Sequence, residues 1–385
     1  MRLGEERVAR RPQDWLNQES LARALLARAR LAGSTDDLVR AGQALSLGRS
    51  QATAPSGPLL TSAAYQLATH RIGAIAADLD ALDKAAVPLE AERAEAAALR
   101  GDIALYSGRY GEAERRYRAA AARFQDASSA FRIAGWRKYQ ADFAGAQAAL
   151  SRGASLTERR TPLFMANVYL QIGSVALLRG DWNEAERCFE RADRFFPGHW
   201  LIEAHRAQMS ALRGDLAGAE RGYRTSIASS RAPEVMDALA ALYRAQGKIS
   251  ESRALAALSK PRWAERLRLL PEAYAAHAAE HELALGSPRA ALDSARRNYA
   301  ARRHGDAVTL LAAALLANGR AAEAAGLIEK LNRTPWRMAQ QYVVLSQAYA
   351  VLGDDARSNA GRAAALRINP RAFDAAAGFI WFGHH

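Results

Sequence analysis

Apolar and small residues recur along this chain three and four positions apart, in runs the length of an ordinary helix, and glycine-centred polar joints separate the runs. The stretch "YLQIGSVALLRG" (169–180) is one such run, and "DWNEAERCFERA" (181–192) is the next. The period is helical throughout, with no sustained two-residue alternation, so the pattern predicts an all-α chain. The joints also repeat. "RGDWNEAERCFERA" (179–192), "SGRYGEAERRYRAA" (107–120), "RGDLAGAERGYRTS" (213–226) and "NGRAAEAAGLIEKL" (318–331) align on a glycine, with alanine five positions later and usually a large apolar residue nine positions later.

Each aligned position has a mechanical reason. Gly108, Gly180, Gly214, Gly247, Gly319 and Gly353 are placed to close one helix in the left-handed conformation. Ala113, Ala185, Ala219, Ala291 and Ala324 lack the bulk that would hold two antiparallel helices apart, and Tyr117, Phe189 and Tyr223 then fill the space between hairpins. Pro197 and Pro370 mark the ends of second helices, since proline cannot continue the hydrogen-bond ladder.

Together these residues resemble the tetratricopeptide repeat, a helix-turn-helix unit of 34 residues. Residues 166–199 carry the resemblance most fully, through Tyr169, Ile172, Gly173, Ala176, Gly180, Trp182, Ala185, Phe189, Ala192 and Pro197. The same ruler places ten repeats starting near 19, 57, 94, 127, 166, 200, 233, 272, 305 and 339. It is clearest in 94–120, 166–199 and 339–372 and weak in 19–90, where Leu38 replaces the small alanine. The resemblance implies a right-handed α-solenoid of bacterial type, a continuous array over 19–372. A mobile segment (1–18) is expected before it and an apolar cap or tail (373–385) after it. Softer joints are expected at 46–58, rich in Ser, Gly and Pro, at 155–162, and at 258–271, which contains Pro261.

Composition narrows the possibilities. The 385 residues carry a formal charge of +13, which points toward acidic partners. Yet only Lys84, Lys138, Lys248, Lys260 and Lys330 are lysines, and the arginines are interleaved with acids, as codon usage in a GC-rich genome and a solvated helical surface would give. No run approaches the roughly 18–20 apolar residues that cross a bilayer. The first residues also lack the apolar stretch of a signal peptide. The expectation is a soluble chain, cytoplasmic, or periplasmic where a leader has been removed. A single cysteine, Cys188, leaves no disulfide framework and no Cys-rich zinc site.

The sharpest enzymatic pattern is "HAAEH" (277–281), which satisfies H-x-x-E-H and would make His277 and His281 zinc ligands and Glu280 the base of a peptidase. It falls inside a first helix that the repeat already explains, and the sequence marks no third ligand. Asp36–Asp37 and Asp354–Asp355 follow interhelix joints, where acids start helices. No catalytic residue, metal or cofactor is therefore assigned.

The family resemblance implies instead a noncatalytic scaffold whose first helices line a groove for a peptide or helix of a protein partner. The repeat offsets that would face inward give Tyr65, Asp102, Tyr106, Phe131, Lys138, Tyr139, Asn167, Gln208 and Arg244 as contact residues. The lysine–asparagine clamp for a C-terminal carboxylate is missing from every repeat. RNA binding by a related helical repeat is the alternative, disfavoured because the inward positions lack a recurring Asn/Asp/Ser/Thr set. The apolar end "GFIWF" (378–382) is expected to cover the last repeat or to dock a partner, and His384 and His385 to belong to a purification tag.

Overall fold

The structure, a computed structural model, describes residues 2–84 and 89–382. His384 and His385 lie outside them. The fold class is an all-α helical-repeat solenoid, and no strand occurs among the described residues. Residues group into two compact units, 1–125 with 265–274, and 126–264 with 275–385.

Unit 1 opens with α1 (Arg2–Arg10) and continues with three antiparallel hairpins. These are α2 (Trp15–Ala32) with α3 (Thr35–Gln51), α4 (Leu59–Ala68) with α5 (Ile72–Leu82), and α6 (Glu90–Tyr106) with α7 (Tyr110–Arg123). The segment expected to be mobile is thus largely helical. Val8 packs on the α2–α3 core, and Glu5 accepts a hydrogen bond from Arg40 at 2.6 Å. Residues 265–274 join this unit through Tyr274, whose hydroxyl lies 2.9 Å from that of Thr35, and through the Glu272 carbonyl, 3.3 Å from His70 Nδ1.

Unit 2 carries the remaining hairpins, apart from residues 265–274 at the end of α15 and the start of α16. They are α8 (Ala127–Lys138) and α9 (Phe143–Ser155), α10 (Pro162–Arg179) and α11 (Trp182–Phe195), α12 (Trp200–Leu212) and α13 (Leu216–Ser230), then α14 (Pro233–Ala245) and α15 (Ile249–Leu269). After them come α16 (Pro271–Leu285) and α17 (Pro288–Ala301), α18 (Gly305–Ala317) and α19 (Ala321–Leu331), and α20 (Ala339–Val351) and α21 (Asp355–Ile368). A short 3-10 helix (Ala375–Phe379) follows. Ten hairpins are therefore described, in the order the repeat pattern predicts.

Turn chemistry explains their regularity. All six glycines picked out by the repeat have φ between 73° and 83°. An aspartate one position later starts the second helix in several hairpins: Asp181, Asp215 and Asp354 accept the backbone amides of Glu184, Gly218 and Arg357 at 3.0, 2.8 and 2.9 Å. Ala113, Ala185, Ala219, Ala291 and Ala324 are fully buried. A Cβ on Gly173 would lie 2.5 Å from the Phe189 ring, so the missing side chain is what lets α10 and α11 close over that phenylalanine. In the α8–α9 hairpin the roles reverse. Gly153 on the second helix makes room for Phe131 on the first, which also stacks on Phe164 at 5.9 Å.

Two expectations are corrected. The stretch 258–271 is not irregular, because α15 runs unbroken through Pro261 to Leu269, although the division between the two units falls inside it at 264/265. Two residues past the proline, Trp263 is buried and donates its indole N–H to Asp237 at 2.8 Å, which anchors the helix across the missing backbone donor. The apolar end also leaves the last hairpin after Phe373, whose ring lies 4.2 Å under Arg362 of α21. Phe379, Ile380, Trp381 and Phe382 pack into the cores of the α10–α11 and α12–α14 hairpins, while Val351 and Leu352 at the α20–α21 turn stay exposed.

Candidate functional site

Of the sequence-derived candidates in unit 2, Gln208 on α12 has the most closely defined surroundings. Gln208 has no exposed surface, and its side-chain amide is used at both ends. Its Oε1 accepts the backbone amides of Trp381 and Phe382 at 2.7 and 2.8 Å, and its Nε2 donates to the Phe382 carbonyl at 2.9 Å. One glutamine thus holds the main chain of Trp381 and Phe382, at a bend just past the 3-10 helix, without reading their side chains.

Apolar contacts do that reading. The Phe382 ring is 1% exposed and meets His205 edge-on at 5.7 Å and Tyr223 at 6.4 Å. His205 is itself stacked on Phe189 at 4.3 Å, so the ring pocket is braced by the core of the preceding hairpin. Ala204, Ala207, Ala211, Val235 and Leu239 complete the surrounding core. Small residues on α12 and α14 leave the space, and rings fill it. Burial also pushes the Tyr223 phenol well above its ordinary pKa, so it stays neutral.

The other candidates of unit 2 have more polar surroundings. Tyr139 stacks on the fully buried Trp336 at 4.0 Å, and its carbonyl accepts the Arg337 amide at 2.7 Å. Lys138 sits 4.6 Å over the Tyr139 ring. It keeps part of its surface open, but withdrawal from water pushes its amine below the usual lysine value, with Asp306 pulling the other way. Asn167 is exposed, and so is Arg244, which donates to the Ala284 carbonyl. At the joint after α21, the Arg371 guanidinium covers the Trp182 ring at 4.2 Å.

The remaining candidates belong to unit 1. Tyr65 is buried against Gly42, and Asp102 is buried and accepts the Tyr117 hydroxyl at 2.8 Å. Tyr106 packs against the α4–α6 core. In this conformation Tyr65 and Asp102 present no surface to a ligand.

The chemical candidates have local partners. His277 Nδ1 lies 3.1 Å from Glu280, and the ring stacks on Trp263 at 6.0 Å. His281 turns to the buried Asp237, 3.0 Å from both carboxylate oxygens, and Asp237 holds Trp263 as well. The two histidines thus serve two different carboxylates, and no grouping of three or more His, Cys, Asp or Glu with metal-binding geometry occurs among the described residues. Cys188 is buried 3.6 Å from Glu184, and burial with that neighbouring charge pushes its thiol up to about 12, so it is no thiolate nucleophile at neutral pH.

His205, Trp336 and the 379–382 segment were not among the sequence-derived contacts. Only the aromatic density of "GFIWF" signalled the last, and aromatic density carries no address.

No family model matches the chain, and no curated protein matches it. Among solved structures it is similar to yeast Tom70, at 16% identity over 98% of this chain and 90% of that one, with a TM-score of 0.41. It is also similar to a tetratricopeptide repeat protein from Parabacteroides merdae, at 15% identity over 64% and 94%, with a TM-score of 0.37. A thermophilic TPR protein of Thermus thermophilus matches at 21% identity over 54% and 98%, again with a TM-score of 0.37. The tetratricopeptide-like assignment rests on the hairpin order, turn glycines and buried alanines described above. No described helix is long and apolar enough to cross a membrane.

Proposed function

We propose that this chain is a noncatalytic protein-interaction scaffold that binds a peptide or helix of a partner along the first helices of unit 2. The supporting observation is Gln208, a fully buried amide whose hydrogen-bonding capacity is spent on the main chain of an apolar segment. Main-chain recognition by a fixed polar group, with pockets for alternate side chains, is a recurring way to hold peptides. Tyr139, braced on Trp336, supplies a rigid aromatic anchor on the same unit, and such anchors dominate binding energy. Lys138, Asn167 and Arg244 add polar contacts around it, with Phe131 at the α8 end. In unit 1, Tyr106 is the candidate with access, while Tyr65 and Asp102 serve packing unless that unit opens.

The test is selection of binders from a random displayed-peptide library on the immobilised chain, followed by titration against inner-face variants. Tyr139→Ala, Asn167→Ala or Arg244→Ala should weaken at least one selected peptide about tenfold, the loss expected of a hot-spot contact. Peptides whose affinity no first-helix substitution changes would contradict the proposal.

A further inference from the structure

The C-terminal segment passes the end of its own last hairpin and settles on α12 and α14, several hairpins back along the chain. That course argues against a terminal cap, because the apolar residues at the α20–α21 turn, Val351 at 67% exposure and Leu352 at 47%, stay uncovered. The hold on the segment is also of a transferable kind. Gln208 bonds only the backbone of Trp381 and Phe382, and only Phe382 is fully enclosed, with Phe379, Ile380 and Trp381 half-buried. Any segment that bends in the same way and carries the same run of apolar side chains could make the same bonds.

We infer that the Gln208 face is a binding site for a short segment of a protein partner carrying an aliphatic–aromatic–aromatic triplet. Residues 375–382, ending in Ile380-Trp381-Phe382, are its intramolecular occupant. This deepens the peptide-binding reading and rests on it. The tail masks the site as a tethered competitor. A tethered segment acts at an effective concentration on the order of millimolar, so a partner must exceed it in affinity or in local concentration. Binding and tail release are then one equilibrium, and the apparent affinity for a partner is lowered by the fraction of chains in which the tail is seated.

The probe is a fluorescently labelled peptide of sequence FDAAAGFIWF, residues 373–382, titrated by anisotropy into the full chain. Trp381→Ala/Phe382→Ala, which loosens the tethered copy, should bind the probe at least about tenfold more tightly than the unaltered chain. Adding Gln208→Ala should remove that gain. In the unaltered chain, excess peptide should speed hydrogen exchange at the Trp381 and Phe382 amides, because their acceptor is taken. Equal affinity in the unaltered and loosened chains overturns the inference, as does failure of the probe to bind either. Unchanged exchange at those two amides under saturating probe also overturns it, and this decides alone if the double variant fails to melt cooperatively. A library-selected peptide that binds at Tyr139 and Asn167 while leaving the tail amides protected would overturn this inference and leave the broader proposal standing.

Discussion

Gly180 and Ala141 occupy the same kind of interhelix turn in adjacent hairpins, with φ of 80° and 60°. A left-handed backbone costs an L-residue about 1–2 kcal/mol and costs glycine little. Gly180→Ala should therefore lower stability by about 1 kcal/mol or more, particularly since its Cβ would also meet the Asn369 side chain. Ala141→Gly should be neutral or stabilising by up to about 1 kcal/mol. Chemical denaturation of the two variants reads both signs, and a stabilised Gly180→Ala would refute the turn assignment. Ala185 makes a harsher test. It has no exposed surface where α10 and α11 meet, so Ala185→Trp should lower the melting temperature by about 5 °C or more and disrupt the α10–α11 hairpin. A wild-type melting curve would mean the helix register is wrong. These positions could be read from sequence because each is set by local geometry, a turn or a close helix approach, that one residue type satisfies.

At the scale of an element, α15 and α16 show where that local reading ends. Proline inside a helix removes a hydrogen bond and crowds the preceding turn, at about 3 kcal/mol in an unsupported interior. Here the helix continues because Trp263 is fastened to Asp237 beyond the break. Pro261 is exposed, so Pro261→Ala should stabilise by about 1–3 kcal/mol in thermal or denaturant melts. A loss of stability would mean the proline shapes the helix rather than burdening it. The "HAAEH" stretch gives a pH prediction. Burial lowers the pKa of His277, but its hydrogen bond to Glu280 and the charges of Glu280 and Glu234 outweigh burial and the opposing Arg302, leaving it above the ordinary 6.5. A raised folded-state value stabilises fully below about pH 6.5 and is lost as pH climbs through the folded value. Wild-type stability should therefore decline over that upper window, and Glu280→Gln should flatten the decline. An unchanged slope in that variant would remove His277 as its source. The partners that decide these cases, Asp237 for Trp263 and His281 above all, lie 26 and 44 residues away in sequence, so spacing motifs could not show them.

Across the molecule, the hairpin count and the small-residue packing were legible in the sequence, because each repeat states its own geometry. The destination of the 373–382 segment was not. Its aromatics declare that they must be buried but not where, and the acceptor that seats them is one glutamine 174 residues earlier. The repeat offset singled out Gln208 but did not tell what it bonds. The Gln208 face of unit 2 is proposed to take up a segment of a protein partner. The most direct measurement is a crystal structure of the full chain bound to a peptide selected on it. The expected result is main chain of that peptide bonded to the Gln208 side-chain amide, rings seated beside His205 and Tyr223, and residues 379–382 displaced. A peptide lying on the outer faces of the second helices, with Phe382 still in its pocket, would contradict it.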